Sequence, residues 1–146
     1  MKPAPFDYYA PTSVEQALDQ LTELGYSGKV LAGGQSLIPA MNFRMARPAA
    51  LVDLNKIKEL RYIQPTSDGG LQIGTMTRVS VVEASAEMRQ RFPILAETVP
   101  YIAHKQIRNR GTFGGAIAHA DPAAQLPAAA VLLRANLKIM SKAGER

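Results

Sequence analysis

At 146 residues, 47% apolar and 20% charged, the chain has the size and composition of one globular domain, which excludes a disordered, collagenous or coiled-coil protein. It has no cysteine, no apolar signal core behind Met1-Lys2-Pro3-Ala4-Pro5 and no apolar run near the ~20 residues that span a bilayer. Disulfides, thiolate metal sites, an iron–sulfur cluster of its own, secretion and membrane insertion are therefore set aside, and a cytoplasmic setting is expected. The net charge is +5, but the basic clusters (Lys105 with Arg108 and Arg110, Arg44 with Arg47) are not interleaved with aromatics, so no nucleic-acid partner is expected.

The first strong element follows Pro11. Thr12 and Glu15 have capping-box spacing, Val14, Ala17, Leu18 and Leu21 recur with helical period, and Gly25 suits a C-terminal cap, so a helix is predicted from about Ser13 to Leu24. Lys29-Val30-Leu31-Ala32 reads as a buried strand that delivers the chain into the Gly33-Gly34 turn. Ser36 then caps a short helix through Leu37, Pro39 and Phe43, and Leu51-Val52-Asp53-Leu54 reads as a second buried strand. Tyr62-Ile63-Gln64 and Leu71-Gln72-Ile73-Gly74 flank Ser67-Asp68-Gly69-Gly70 as a hairpin.

Ser80 and Glu83 repeat the capping-box spacing ahead of a helix to about Arg91, and Pro93 opens another through Leu95, Val99 and Ile102. From Gln106 to Pro122 there is no helical period and there are several glycines, so ordered loop and short strand are expected. Ala123 to about Arg134 reads as helix and Leu137-Lys138-Ile139-Met140 as a half-buried strand. The turn-like Ser141 to Arg146 then ends the chain before a hairpin partner, so this end reads as unfinished. Helices alternating with strands give an α+β class with α/β-like alternation.

The chemistry gathers at two glycine pairs, Ala32-Gly33-Gly34-Gln35-Ser36 and Thr112-Phe113-Gly114-Gly115-Ala116. Each is either a tight turn or a nest of backbone N–H groups that, without Cβ atoms in the way, can approach phosphate oxygens, with flanking hydroxyls as added donors. Two such turns could hold a diphosphate from both sides. Neither is a dinucleotide fingerprint or a P-loop, and Gly34-Gln35-Ser36-Leu37-Ile38 lacks the last glycine of a nucleophile elbow. His104, His119 and Asp121 lack the spacing of metal ligands, and Asp53, Glu83, Glu87 and Glu97 form no defensible acid–base pair. The residues thus point to phosphate-cofactor binding with no catalytic side chain and no metal, leaving a stand-alone nucleotide- or phosphate-binding module as the alternative to a redox role.

Leu31-Ala32-Gly33-Gly34-Gln35-Ser36-Leu37 with Asn42-Phe43-Arg44-Met45, and the stretch Ile107 to Pro122 built around Arg108-Asn109-Arg110-Gly111-Thr112-Phe113-Gly114-Gly115, resemble the FAD-binding medium subunits of molybdenum hydroxylases. The likeness is to the medium subunit of aerobic carbon monoxide dehydrogenase and its heteroaromatic-hydroxylating cousins and, more distantly, to the flavin domain of xanthine dehydrogenase, and it runs from about Phe6 to Arg146. It implies a flavin domain of the para-cresol-methylhydroxylase type: two small α/β subdomains, here about 1–60 and 61–146, with the second cut short at the end of the chain. It implies FAD contacts from Val30, Leu31, Ala32, Gly33, Gly34, Gln35, Ser36 and Leu37, from Thr112, Phe113, Gly114, Gly115 and Ala116, and from the apolar Ile102. Ala116 stands where the family often has Asn, which leaves backbone contacts only. Gln125 stands where an acidic residue is common, which turns a carboxylate contact into an amide one. The implied role is an electron relay in an oxidoreductase: a molybdenum-cofactor large subunit oxidises the substrate, an iron–sulfur small subunit passes electrons on, and the FAD held here delivers them to an external acceptor. The assembly would be a heterotrimer or a dimer of heterotrimers, and the basic stretch Lys105 to Arg110 would be phosphate-proximal, subunit-facing or a solvated face.

Overall fold

A computed structural model describes residues 1–146. Helix α1 (Val14–Leu24) starts where Ser13 leaves helical geometry and its hydroxyl accepts the Gln16 amide at 3.2 Å. Gln16 Oε1 accepts the amide of Thr12, one residue before the cap, at 3.0 Å, so the cap rests on Ser13 and Gln16, not on Thr12 and Glu15, and is not the reciprocal box that the spacing predicted. Gly25 ends the helix at φ +53°, as predicted.

The chain separates into two units, residues 1–59 with 136–146, and residues 60–135. In the first, β1 (Asp7–Tyr9), β2 (Gly28–Leu31) and β3 (Ala50–Asp53) form a parallel sheet in the order β1-β3-β2. Helices α1 and α2 (Leu37–Asn42) supply the crossovers that parallel pairing requires. The central strand is buried through Ala50, Leu51 and Val52, which with Ala17, Met41 and Ile57 form the core of this unit. Strand β1 carries no apolar alternation and was not foreseen. Strand β2 corrects an expectation: it lies at the sheet edge with Lys29 and Val30 exposed, because β3 takes the interior position.

The tail also departs from the expected half-buried, unpaired strand. Leu137 and Ile139 are exposed, and β6 (Met140–Ser141) pairs antiparallel with β7 (Gly144–Glu145), closing the hairpin within the chain. Gly144 at φ +126° allows so short a turn, and an ion pair from Lys142 to Asp19 ties the tail to α1. Residues 136–146, assigned by sequence to the second subdomain, therefore cluster with the first unit.

The second unit begins with the hairpin of β4 (Ile63–Pro65) and β5 (Leu71–Ile73). Its turn holds Gly69 at φ +89° and an Asp68 carboxylate that accepts from the Thr66 hydroxyl and the Gly70 amide, which lowers the Asp68 pKa. The single helix predicted to Arg91 is two: α3 (Val79–Ala84) and α4 (Ala86–Arg91). Extended Ser85 breaks the helix and caps the next with its hydroxyl on the Met88 amide. Helices α5 (Pro93–Thr98) and α8 (Gln125–Leu132) lie where predicted, within a few residues. The stretch 106–122 is mostly helical instead of loop, as α6 (Lys105–Arg110) and α7 (Phe113–His119). Val79, Val82, Met88, Leu95, Val99, Leu126 and Ala129 form the core of this unit.

Candidate functional site

The first glycine motif leaves β2 at Leu31 and turns into α2. Gly34 sits at φ +74°, a conformation that costs any L side chain about 1–2 kcal/mol. A Cβ there would also stand 3.1 Å from Ile38 Cγ1 and 3.3 Å from Leu31 Cδ1. The amides of Gly33, Gly34, Gln35 and Ser36 enter no backbone hydrogen bond, and Ser36 at the helix N-cap makes no capping bond with its hydroxyl. A short segment thus offers consecutive N–H donors and an exposed hydroxyl, the donor set that phosphate oxygens require. The residues present fit the diphosphate of a nucleotide cofactor.

The turn is braced by side chains of which sequence reading missed Asn55 and Tyr8 and weighed Asp53 only as an acid or base. Asn55 Nδ2 donates to the Ala32 carbonyl at 2.8 Å and to Asp53 Oδ1 at 2.6 Å. Asp53 Oδ1 also accepts the Asn55 amide at 2.8 Å, and its Oδ2 accepts the Tyr8 hydroxyl at 2.6 Å. That bond, with some burial and the Asp53 charge, raises the Tyr8 pKa above its ordinary value. Inside the turn, Gln35 Nε2 donates to the Gly33 carbonyl at 2.9 Å. An Asp at a strand end followed two residues later by Asn was the available signal, since that spacing forms an Asx turn.

The second glycine motif is built differently. Phe113 and Gly114 donate their amides to the carbonyls of Thr77 and Thr75, at 2.9 and 3.0 Å. Gly115 donates to the Thr112 hydroxyl at 3.1 Å and Ala116 to the Thr112 carbonyl at 3.1 Å. Buried Thr112 is therefore the cap of α7, and these amides are already spent. The reading of this segment as a nest of free donors does not hold. Gly114 is required because a Cβ would strike Thr75.

Ile102 is half-buried against the core of its unit, and Gln125 Nε2 reaches the Tyr101 carbonyl at 3.4 Å. Of the basic stretch, Arg108 is consumed internally: its guanidinium makes a two-pronged pair with Glu83, at 2.8 and 3.0 Å, and donates to the carbonyls of Ile102 and Ala103. Lys105 and Arg110 remain exposed. His104 and His119 are exposed at opposite ends of α6 and α7, no cluster of three or more His, Asp or Glu side chains has metal-binding geometry, and no helix is long and apolar enough to cross a membrane.

Residues 4–146 match the family model described as the FAD binding domain in molybdopterin dehydrogenase. The chain is 49% identical to the 6-hydroxypseudooxynicotine dehydrogenase complex subunit alpha of Paenarthrobacter nicotinovorans, over all of this chain and 49% of that protein. It is 44% identical to the caffeine dehydrogenase subunit beta of a Pseudomonas species, over all of this chain and 50% of that one. Among solved structures, reconstituted CO dehydrogenase from Oligotropha carboxidovorans superposes with a TM-score of 0.97 at 40% identity, over the whole of this chain and 51% of that one. The chain spans about half the length of the curated relatives it matches.

Proposed function

Because the chain belongs to the family of FAD-binding domains of molybdopterin dehydrogenases, we propose that it is the FAD-holding part of an electron-transfer subunit, working with a molybdenum-cofactor large subunit and an iron–sulfur small subunit in the cytoplasm. The observation that carries the reading beyond family membership is the run of unspent amides from Gly33 to Ser36, next to an uncapped serine hydroxyl. Family membership supports this flavin role over a stand-alone phosphate-binding module.

Bound FAD supplies the redox chemistry, accepting electrons and passing them to an external acceptor. What this chain contributes is binding and orientation. Gly33, Gly34, Gln35 and Ser36 donate to diphosphate oxygens, Gly34 keeps the approach open, and Val30, Leu31, Ala32 and Leu37 carry the backbone into and out of the turn. Thr112, Phe113, Gly114, Gly115 and Ala116 enter not as amide donors, since their N–H groups from Phe113 to Ala116 are spent and Gly114 is packed against Thr75, but as the rigid start of α7 near the cofactor. Ile102 contributes apolar contact and Gln125 an amide contact. The absence of a paired acid and base fits a relay in which substrate oxidation occurs on a partner.

The test is the full-length subunit, purified in its complex. It should be yellow, with a flavin absorbance spectrum and FAD released on denaturation. A colourless complex that takes up no added FAD overturns the proposal.

A further inference from the structure

Four free amides bind a diphosphate only if they point the right way, and the structure shows what aims them. The peptide unit is planar and trans, so its C=O and N–H point in opposite directions, and fixing one fixes the other. The Ala32–Gly33 peptide is fixed through its carbonyl, which accepts from Asn55 Nδ2 at 2.8 Å. The Gly33–Gly34 peptide is fixed through its carbonyl by Gln35 Nε2 at 2.9 Å. Each side-chain amide therefore turns the N–H of the next glycine to the opposite side of the peptide. This matters most where the residues are glycines, whose backbone is otherwise the least restrained.

Asn55 is itself held. A side-chain amide has two N–H donors, and those of Asn55 are divided between Ala32 and Asp53. Asp53 spends one carboxylate oxygen on the Asn55 side chain and backbone and the other on the Tyr8 hydroxyl. A row of hydrogen bonds thus runs from Tyr8 on β1, through Asp53 at the end of β3, to the turn after β2. Strand β2 pairs with β3 alone and its pairing ends at Leu31 opposite Asp53, so beyond that point this row takes over from the sheet.

We propose that Asn55 and Gln35 are positioning residues that orient the Gly33 and Gly34 amides toward the FAD diphosphate, with Asp53 and Tyr8 holding Asn55 in place; this deepens, and rests on, the flavin reading above. Without Asn55 the Ala32 carbonyl has no partner and the peptide is free to rotate, so diphosphate affinity falls although no atom that touches the cofactor has been removed.

The experiment uses the full-length chain in its complex, stripped of FAD and titrated with FAD and, separately, with ADP as a diphosphate probe that lacks the flavin. Asn55→Leu and Gln35→Met, which keep approximate size and remove the donors, should each weaken both ligands about tenfold, the scale of one lost hydrogen bond. The melting temperature of the FAD-free complex should shift little. Unchanged affinity for FAD and ADP in both variants, with or without a lowered melting temperature, overturns the proposal. Failure of both variants to assemble overturns it too, since the bonds would then belong to folding. A wild-type complex that binds no FAD would instead overturn the flavin reading, so the two failures are distinguishable.

Discussion

Gly114 and Thr75 are in such close contact that there is no room for a side chain between them. A Cβ on Gly114 would lie 2.6 Å from Thr75 Cβ and 2.7 Å from Thr75 Cα, while the Gly114 amide donates to the Thr75 carbonyl at 3.0 Å. Gly114→Ala should therefore destabilise the second unit by at least the roughly 1–3 kcal/mol of an overpacked core, read as a lower denaturant midpoint. Because the clash includes Thr75 Cα, adding Thr75→Ala should restore little and Thr75→Gly only part. Full recovery with Thr75→Ala would show that the backbone can give way there.

In the first motif, binding and stability should come apart at Ser36 but not at Gly34. Ser36→Ala removes a hydroxyl that makes no capping bond, so the melting temperature should stay within a degree or so while FAD affinity drops up to about tenfold. Gly34→Ala combines the φ +74° strain with the contact at Ile38 and should cost about 1–2 kcal/mol of stability as well as FAD. Flavin content and thermal melting, measured together on the full-length subunit, separate the two.

Arg108 should behave as a structural staple. It is largely buried, pairs with Glu83 through two guanidinium nitrogens and holds the carbonyls of Ile102 and Ala103, the latter residue at φ +44°. Arg108→Leu should lower stability by about 2 kcal/mol, as for hydrogen bonds to charged groups. Arg108→Lys should recover little, because an ammonium cannot reproduce the planar fork. Denaturant unfolding of the two variants checks this, and near-wild-type stability of the lysine variant would contradict it.

The Tyr8–Asp53 bond predicts an alkaline signature. The hydrogen bond to Asp53 raises the folded pKa of Tyr8 above the ordinary value of 10.0, so the unfolded chain releases this proton first. Its contribution is therefore fully present below pH 10.0 and is lost as pH rises through the folded pKa. Tyr8→Phe should lower stability slightly at neutral pH and narrow its gap to the wild type above that value. Parallel wild-type and variant curves across the alkaline range would rule out the linkage.

Helix α1 was legible because a period of 3.6 residues and a terminal glycine are local features that agree with one another, although the cap falls on Ser13 and not on Thr12. The hairpin of β4 and β5 was legible for the same reason, its turn being written in Asp68, Gly69 and Gly70. Helix α7 was not, because its glycine pair suppresses the helical period while its cap, Thr112, is pinned by a bridge to Arg78 far away in sequence. The exposure of Lys29 and Val30 was equally illegible, since an apolar run does not say which of two strands takes the centre of a sheet.

By itself, then, the sequence determined the class of the fold, the two glycine motifs and, through them, the flavin family. Only the tertiary structure decided that the two motifs differ in kind. A glycine pair looks the same in sequence whether its amides are left without a backbone acceptor, as at Gly33 and Gly34, or spent on neighbouring carbonyls, as at Gly114. The acceptors Thr75 and Thr77 and the brace Asn55 lie tens of residues away from the turns they serve, and no local pattern encodes which carbonyl a buried amide will meet.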